Sequence, residues 1–100
     1  MLNQTVLVGR IVSDPQINET KNERKIATIT LSVSRNYKNE KGKYDTDFIP
    51  CVLWNSVAEN AYEYCKKGDI VGVKGRLQNT NGNVEVIAER LTFLSSKKDD

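Results

Sequence analysis

Residues 48–68 read FIPCVLWNSVAENAYEYCKKG, and the spacing of the apolar positions changes part-way through. From Phe48 to Trp54 they alternate, with Ile49, Cys51 and Leu53 on one side and Phe48, Pro50, Val52 and Trp54 on the other, which is the period of a strand. From Ser56 onward the period becomes helical. Ser56 with Glu59 has the form of a capping box, and Val57, Ala61 and Tyr64 recur at helical intervals. Lys66 and Lys67 suit the negative end of a helix, and Gly68 can stop one in a left-handed conformation. A strand therefore runs into a short helix predicted over Val57–Lys67.

Upstream, Thr5–Val12 is apolar almost throughout and ends at Ser13-Asp14-Pro15, predicting a buried strand with a bulge or bend at Gly9. Ile26–Val33 alternates, with Ala27, Ile29, Leu31 and Val33 facing a core and Thr28, Thr30 and Ser32 facing water. Downstream, Ile70–Gln78 points Val71, Val73, Gly75 and Leu77 inward and Lys74 and Arg76 outward. Asn81-Gly82 makes a tight hairpin turn, and Val84–Leu94 returns as the last strand. The chain is all-β with one short helix, placed between the third and fourth of five strands. Among small barrels that share such a period, this order is the layout of the oligonucleotide-binding (OB) barrel, whose second and third strands present the ligand face. The domain is predicted over residues 1–95, leaving 96–100 as a short charged remnant.

At 100 residues, the chain holds one domain with one modest core. No apolar run approaches the roughly 20 residues of a membrane span, and Met1–Val8 lacks the basic start and cleavage site of a signal peptide. A cytoplasmic location without membrane contact is expected. Cys51 and Cys65 lack metal-ligand spacing and the chain has no histidine, so buried free thiols are expected, with no metal and no cofactor. Nor is catalysis expected. Asp45 and Asp47 lie two apart at a loop end, Glu59 and Glu63 lie on the helix, and no serine or cysteine has a partner base.

The net charge of +2 is too small to argue for a polyanion partner. Its distribution says more. Arg35, Lys38, Lys41 and Lys43 stand against Glu40 alone, and Lys66, Lys67, Lys74 and Arg76 against Asp69 alone, while Asp45–Cys65 holds acids and no base. The first basic segment is interleaved with Tyr37, Tyr44, Phe48 and Trp54. Exposed rings can stack on bases and neighbouring cations can meet phosphates, a combination suited to single-stranded nucleic acid. Trp54 fits a core as well as a surface by type, but Cys51 and Leu53 claim the inside and leave it outward. Tyr44 is assigned to a mobile loop, and Tyr62 and Tyr64 to helix packing.

From Leu2 to about Leu94 the chain resembles the bacterial single-stranded DNA-binding protein family and its phage and plasmid relatives. The resemblance rests on Val6-Leu7-Val8-Gly9-Arg10 with Asp14-Pro15, on Ala27–Val33, on Cys51-Val52-Leu53-Trp54 leading into Ala58-Glu59-Asn60, and on Lys66-Lys67-Gly68 through Gln78. It implies sequence-tolerant binding and protection of single-stranded DNA in replication, recombination, repair or DNA uptake, at the nucleoid. Its strand-binding aromatics carry over to Tyr37, Phe48 and Trp54. The phosphate candidates are Arg10, Arg35, Lys38, Lys67, Lys74 and Arg76, each of which also fits a solvated surface charge. The family implies a homotetramer, with a dimer as the fallback. A primosome-type dimer bridging protein and DNA, and a single-stranded RNA binder, are the alternatives.

The chain departs from the family in four places. Ser56 stands where the helix start is usually basic, and Pro50 where the third strand is usually polar, so Pro50 must face an unpaired edge or a bulge. The last hairpin closes at Asn79–Asn83 without the long extension that carries a further aromatic, predicting a shorter footprint. The sequence stops at Lys97-Lys98-Asp99-Asp100, short of the family's acidic, Phe-terminated tail, as either a tailless paralogue or a shortened chain would, and recruitment of replication or repair enzymes is not claimed.

Overall fold

All five predicted strands are present, and the way they pair explains where the periodicity misled. The computed structural model describes residues 1–96, so the charged remnant after Ser96 lies outside the described residues. The elements are β1 (Thr5–Ile11), β2 (Ile17–Glu19), β3 (Lys25–Lys38), β4 (Tyr44–Trp54), α1 (Asn55–Tyr64), β5 (Ile70–Thr80) and β6 (Asn83–Ser95). The sheet order is β1-β5-β6-β4-β3-β2, and β1 also pairs with β3. That second pairing closes β1, β5, β6, β4 and β3 into the expected five-stranded OB barrel. β2 hangs on the start of β3 through Ile17↔Ala27 and Asn18↔Ile26. It escaped the sequence reading because three residues cannot display an alternation.

The barrel interior holds Ile11, Ala27, Ile29, Leu31, Cys51, Leu53, Val71, Val73, Val86 and Ala88. Each comes from the inward parity of its strand, and α1 adds Ala58 and Ala61, with Cys65 just beyond its end. Those helix-side residues are small, so the helix axis lies close to the barrel. Tyr62 and Tyr64, expected to pack, are exposed instead, because they flank that narrow contact stripe. Burial pushes the Cys51 thiol up to about 11 and raises that of Cys65, which keeps both protonated at neutral pH.

The helix also begins and ends early. The chain leaves β4 at Trp54 and turns through Asn55 at φ 51°, a left-handed conformation asparagine tolerates, so no side chain caps the helix. Ser56 and Glu59 therefore form no capping box; the Glu59 carboxylate pairs with Lys25 Nζ at 2.8 Å. The Cys65 N–H donates to Ala61 O, and Gly68 (φ 94°) serves the following turn, where the Lys66 N–H donates to Asp69 Oδ2.

β1 is not buried throughout. Val6 and Val8 face outward and are 67% and 55% exposed, while Leu7 and Ile11 face the core. Gly9 marks a close approach rather than a bulge: a Cβ there would lie 2.8 Å from Ser32 O on β3. Leu77, expected inside, is exposed because the β1–β5 ladder stops at Thr5↔Gly75. Beyond that point β5 and β6 project as a two-stranded ribbon, closed by Asn81 (φ 52°) and Gly82 (φ 87°) in the predicted tight turn. The β3–β4 hairpin projects likewise past Ser32, the last β3 residue paired to β1.

Candidate nucleic-acid interface

β4 supplies the framework of the site. Its register against β3 is unbroken from Ile26↔Trp54 to Ser34↔Thr46, so side chains at even positions of β4 stay on the outer barrel face. Phe48 is 64% exposed there, and Trp54 is half-buried at the end of the strand. Pro50 sits opposite Thr30 without a register shift, one residue before the β6 ladder begins at Cys51. Its missing N–H thus falls on a stretch of β4 edge that β6 does not cover, as its chemistry requires. Val52 shares the parity of Phe48, Pro50 and Trp54 but is buried, beside Ile87 of β6.

Rows across the barrel show which basic residues reach this face. Arg10 on β1 pairs with Ser32, and Ser32 with Phe48, so these three side chains form one outward row. The Arg10 guanidinium is held there by donating from Nη1 to Gly68 O at 2.6 Å. Past the Thr30–Pro50 pair, a further outward row runs Thr28, Val52, Ile87 and Arg76, with Arg76 Nη1 donating to Gln78 Oε1. Lys67 lines an open cleft of about 450 Å³ with Ser13, Asp14, Gln16 and Thr28, and its N–H donates to Asp14 Oδ1. Arg10, Lys67 and Arg76 therefore border the face that carries Phe48 and Trp54. Lys74 lies farther round, between Val6 and Arg90.

Tyr37 and Arg35 are arranged differently. β3 bulges between Ser34 and Lys38, and within that bulge the Arg35 guanidinium grips Asp47 with two bonds, Nε to Oδ2 at 3.1 Å and Nη2 to Oδ1 at 2.9 Å. Asp45 lies 3.7 Å from Arg35 Nη1, and the same nitrogen is 3.5 Å from Tyr37 Oη. Asp45 and Asp47 have the odd parity of β4, so Arg35 and the Tyr37 hydroxyl go with the ribbon face opposite Phe48. The Asp47 pair raises the Arg35 pKa, and its hydrogen bond with Arg35 holds the Asp47 carboxyl below its ordinary range. Lowering pH disrupts this clasp only as it falls below the ordinary aspartate range through the depressed Asp47 pKa.

Tyr44 is the first residue of β4, paired with Lys38, and not part of a mobile loop. Arg24 was missed entirely: its guanidinium carbon lies 5.5 Å from the centroid of the Trp54 ring, within cation–π range. The available signal was pairing, since Trp54 faces Ile26, two residues after Arg24. Among the described residues no cluster of three or more His, Cys, Asp or Glu side chains could hold a metal ion.

Residues 2–94 match the single-strand binding protein family. The chain is 43% identical to single-stranded DNA-binding protein 3 of Listeria innocua over 98% of its own length and 67% of that protein's. It is also 43% identical to single-stranded DNA-binding protein A of Bacillus subtilis, over 97% of this chain and 62% of the relative. It thus spans no more than about two thirds of these relatives. The crystal structure of wild-type single-stranded DNA binding protein from Thermus aquaticus superposes with a TM-score of 0.78 at 30% identity, covering 99% of this chain and 43% of that one.

Proposed function

Because the chain belongs to the single-strand binding protein family, we propose that it binds single-stranded DNA with little regard to sequence and keeps it unpaired and protected during replication, recombination, repair or uptake. The observation that carries this reading is the outer face of β4, where Phe48 and Trp54 stand bordered by Arg10, Lys67 and Arg76. Rings on a strand stack on any base, and the surrounding cations meet phosphates, so affinity arises without base-edge readout. The activity is binding and not catalysis. No helix among the described residues is long and apolar enough to cross a membrane, and we place the protein at the nucleoid in the cytoplasm.

The decisive experiment titrates poly(dT) into the protein at low salt while following Trp54 fluorescence. Quenching supports the reading, and its absence overturns it. A salt series should fall with a slope of about −0.7 per phosphate contacted. Competition between matched DNA and RNA oligonucleotides separates the DNA reading from an RNA one.

Homo-oligomerisation belongs to the same proposal, with a tetramer as the assembly and a dimer as the fallback. The exposed Val6 and Val8 on β1 support it, as does the ~4 to 16 nucleotide footprint of a single OB barrel. Sedimentation at micromolar concentration distinguishes the two.

The Arg35–Asp47 clasp gives a test of the path taken by the strand. If DNA passes over Tyr37, Asp47→Asn releases Arg35 beside it and should tighten binding while steepening the salt slope by about 0.7. An unchanged slope in salt titrations of this variant removes Arg35 from the phosphate contacts.

A further inference from the structure

The β3–β4 ribbon carries an aromatic and basic pair at its tip that neither the family match nor the barrel face accounts for. Tyr44 opens β4 and is 56% exposed, and its partner across the ladder is Lys38, whose ammonium lies 5.9 Å from the ring centroid. β3 bulges between Ser34 and Lys38 while β4 keeps its alternation, so Tyr44 stays in phase with Thr46, Phe48 and Trp54 on one outward face. Along that face Tyr44 lies about 13 Å from Phe48, two steps of the pleat. It continues the row of rings toward the ribbon's end.

The tip is also well held. Asn39 Oδ1 accepts from the N–H groups of both Lys41 and Lys43, the Asn39 N–H donates to Lys43 O, and Asn39 Nδ2 donates to Asp45 Oδ1. The turn therefore holds Lys38 and Tyr44 in register before any ligand arrives, which lowers the entropy lost on binding. Lys41 and Lys43 add positive charge beside them, and the other projecting ribbon, β5–β6, has no aromatic between Leu77 and Glu85.

We propose that Tyr44 and Lys38 form a further nucleotide subsite at the ribbon tip, the tyrosine ring stacking on a base and the ammonium meeting the adjoining phosphate. This subsite rests on the single-stranded DNA reading and extends the platform in the direction opposite to Trp54. An ammonium already poised over the ring favours it, because cation, ring and base can share one stack.

The test measures anisotropy of labelled oligo(dT) of about 4 and about 16 nucleotides, spanning the range one barrel covers. Tyr44→Ala should weaken binding of the longer oligonucleotide roughly tenfold and leave the shorter one, which Phe48 and Trp54 can hold, nearly unchanged. Tyr44→Phe should restore the loss, and Lys38→Gln should reduce the salt slope by about 0.7. Unchanged affinity of Tyr44→Ala at both lengths overturns the subsite, as does an equal loss at both or a failure of phenylalanine to restore it. A wild-type protein that binds neither oligonucleotide overturns the single-stranded DNA reading and the subsite together.

Discussion

Gly75→Ala is expected to destabilise the fold by about 3 kcal/mol or more, enough to leave much of the protein unfolded in mild denaturant. A Cβ at this position would collide with the carbonyl oxygen of Ile87 and lie 3.0 Å from its carbon, both backbone atoms of β6. No rotamer relieves that contact. The clash sits where the β5–β6 register shifts between Lys74 and Gly75, so relief requires parting two strands at the wall of the barrel. Gly72 on the same strand is the control. Its added Cβ would meet its nearest neighbour, Leu94 Cδ1, at 3.7 Å, so Gly72→Ala should change stability little. Urea unfolding followed by circular dichroism separates the two, and equal midpoints for both variants would refute the packing argument.

Phe48→Ala and Trp54→Ala should each weaken single-stranded DNA binding by roughly 1 to 3 kcal/mol, about 5- to 150-fold in affinity, without comparable loss of stability. Phe48 is mostly exposed and absent from the core, so its removal opens no cavity. Trp54 differs. Its ring already carries Arg24 at one face, so a base stacking on that face must displace the guanidinium. Trp54→Ala also removes the chain's one tryptophan; anisotropy of a labelled oligonucleotide has to replace intrinsic fluorescence for this variant. Arg10, in one row with Phe48 across Ser32, is the companion for a double-mutant cycle. If neither aromatic substitution alters affinity, the outer face of β4 is not the binding surface.

Much of this arrangement was legible in the sequence because it depends on local chemistry. The alternation from Phe48 to Trp54 placed Cys51 and Leu53 in the core, and the left-handed tolerance of Asn81-Gly82 fixed the last turn. What could not be read depends on where a partner strand stops. Leu77 has the parity of a core residue, yet β1 ends its ladder at Gly75 and leaves that side chain in water. Tyr44, assigned to the polar loop between two strand-like runs, belongs instead to β4, because the pairing with Lys38 carries that strand through Asp45, Thr46 and Asp47. The capping-box pattern at Ser56 failed for a related reason: Asn55 takes a left-handed turn straight out of β4 and starts the helix before a cap can form. The aromatic platform was thus found from composition, but parity now groups Tyr44 with Phe48 and sets Tyr37 beside Arg35 on the other ribbon face.

The narrow seam between β1 and β3 has a consequence for the order of assembly. Among the described residues the β1–β3 ladder consists of Arg10↔Ser32 and Ile11↔Leu31, continued by the Val12 N–H donating to Thr30 O, and the rest of β1 is held by residues of β5 from Ile70 to Gly75, which follow β3, β4 and α1 in the sequence. The hairpins β3–β4 and β5–β6 close short loops, whereas docking β1 onto β5, from Thr5↔Gly75 to Arg10↔Ile70, must overcome the loop entropy of most of the chain. The two hairpins are therefore expected to gain amide protection early in refolding and Leu7 and Gly9 last, a sequence that pulsed hydrogen exchange would reverse if β1 nucleated the barrel. Until that last strand docks, the nascent barrel is an open sheet whose β5 edge, and β3 edge beyond the β2 pairing, are unpaired, and it is in this interval that the chain is most exposed to pairing with another copy of itself.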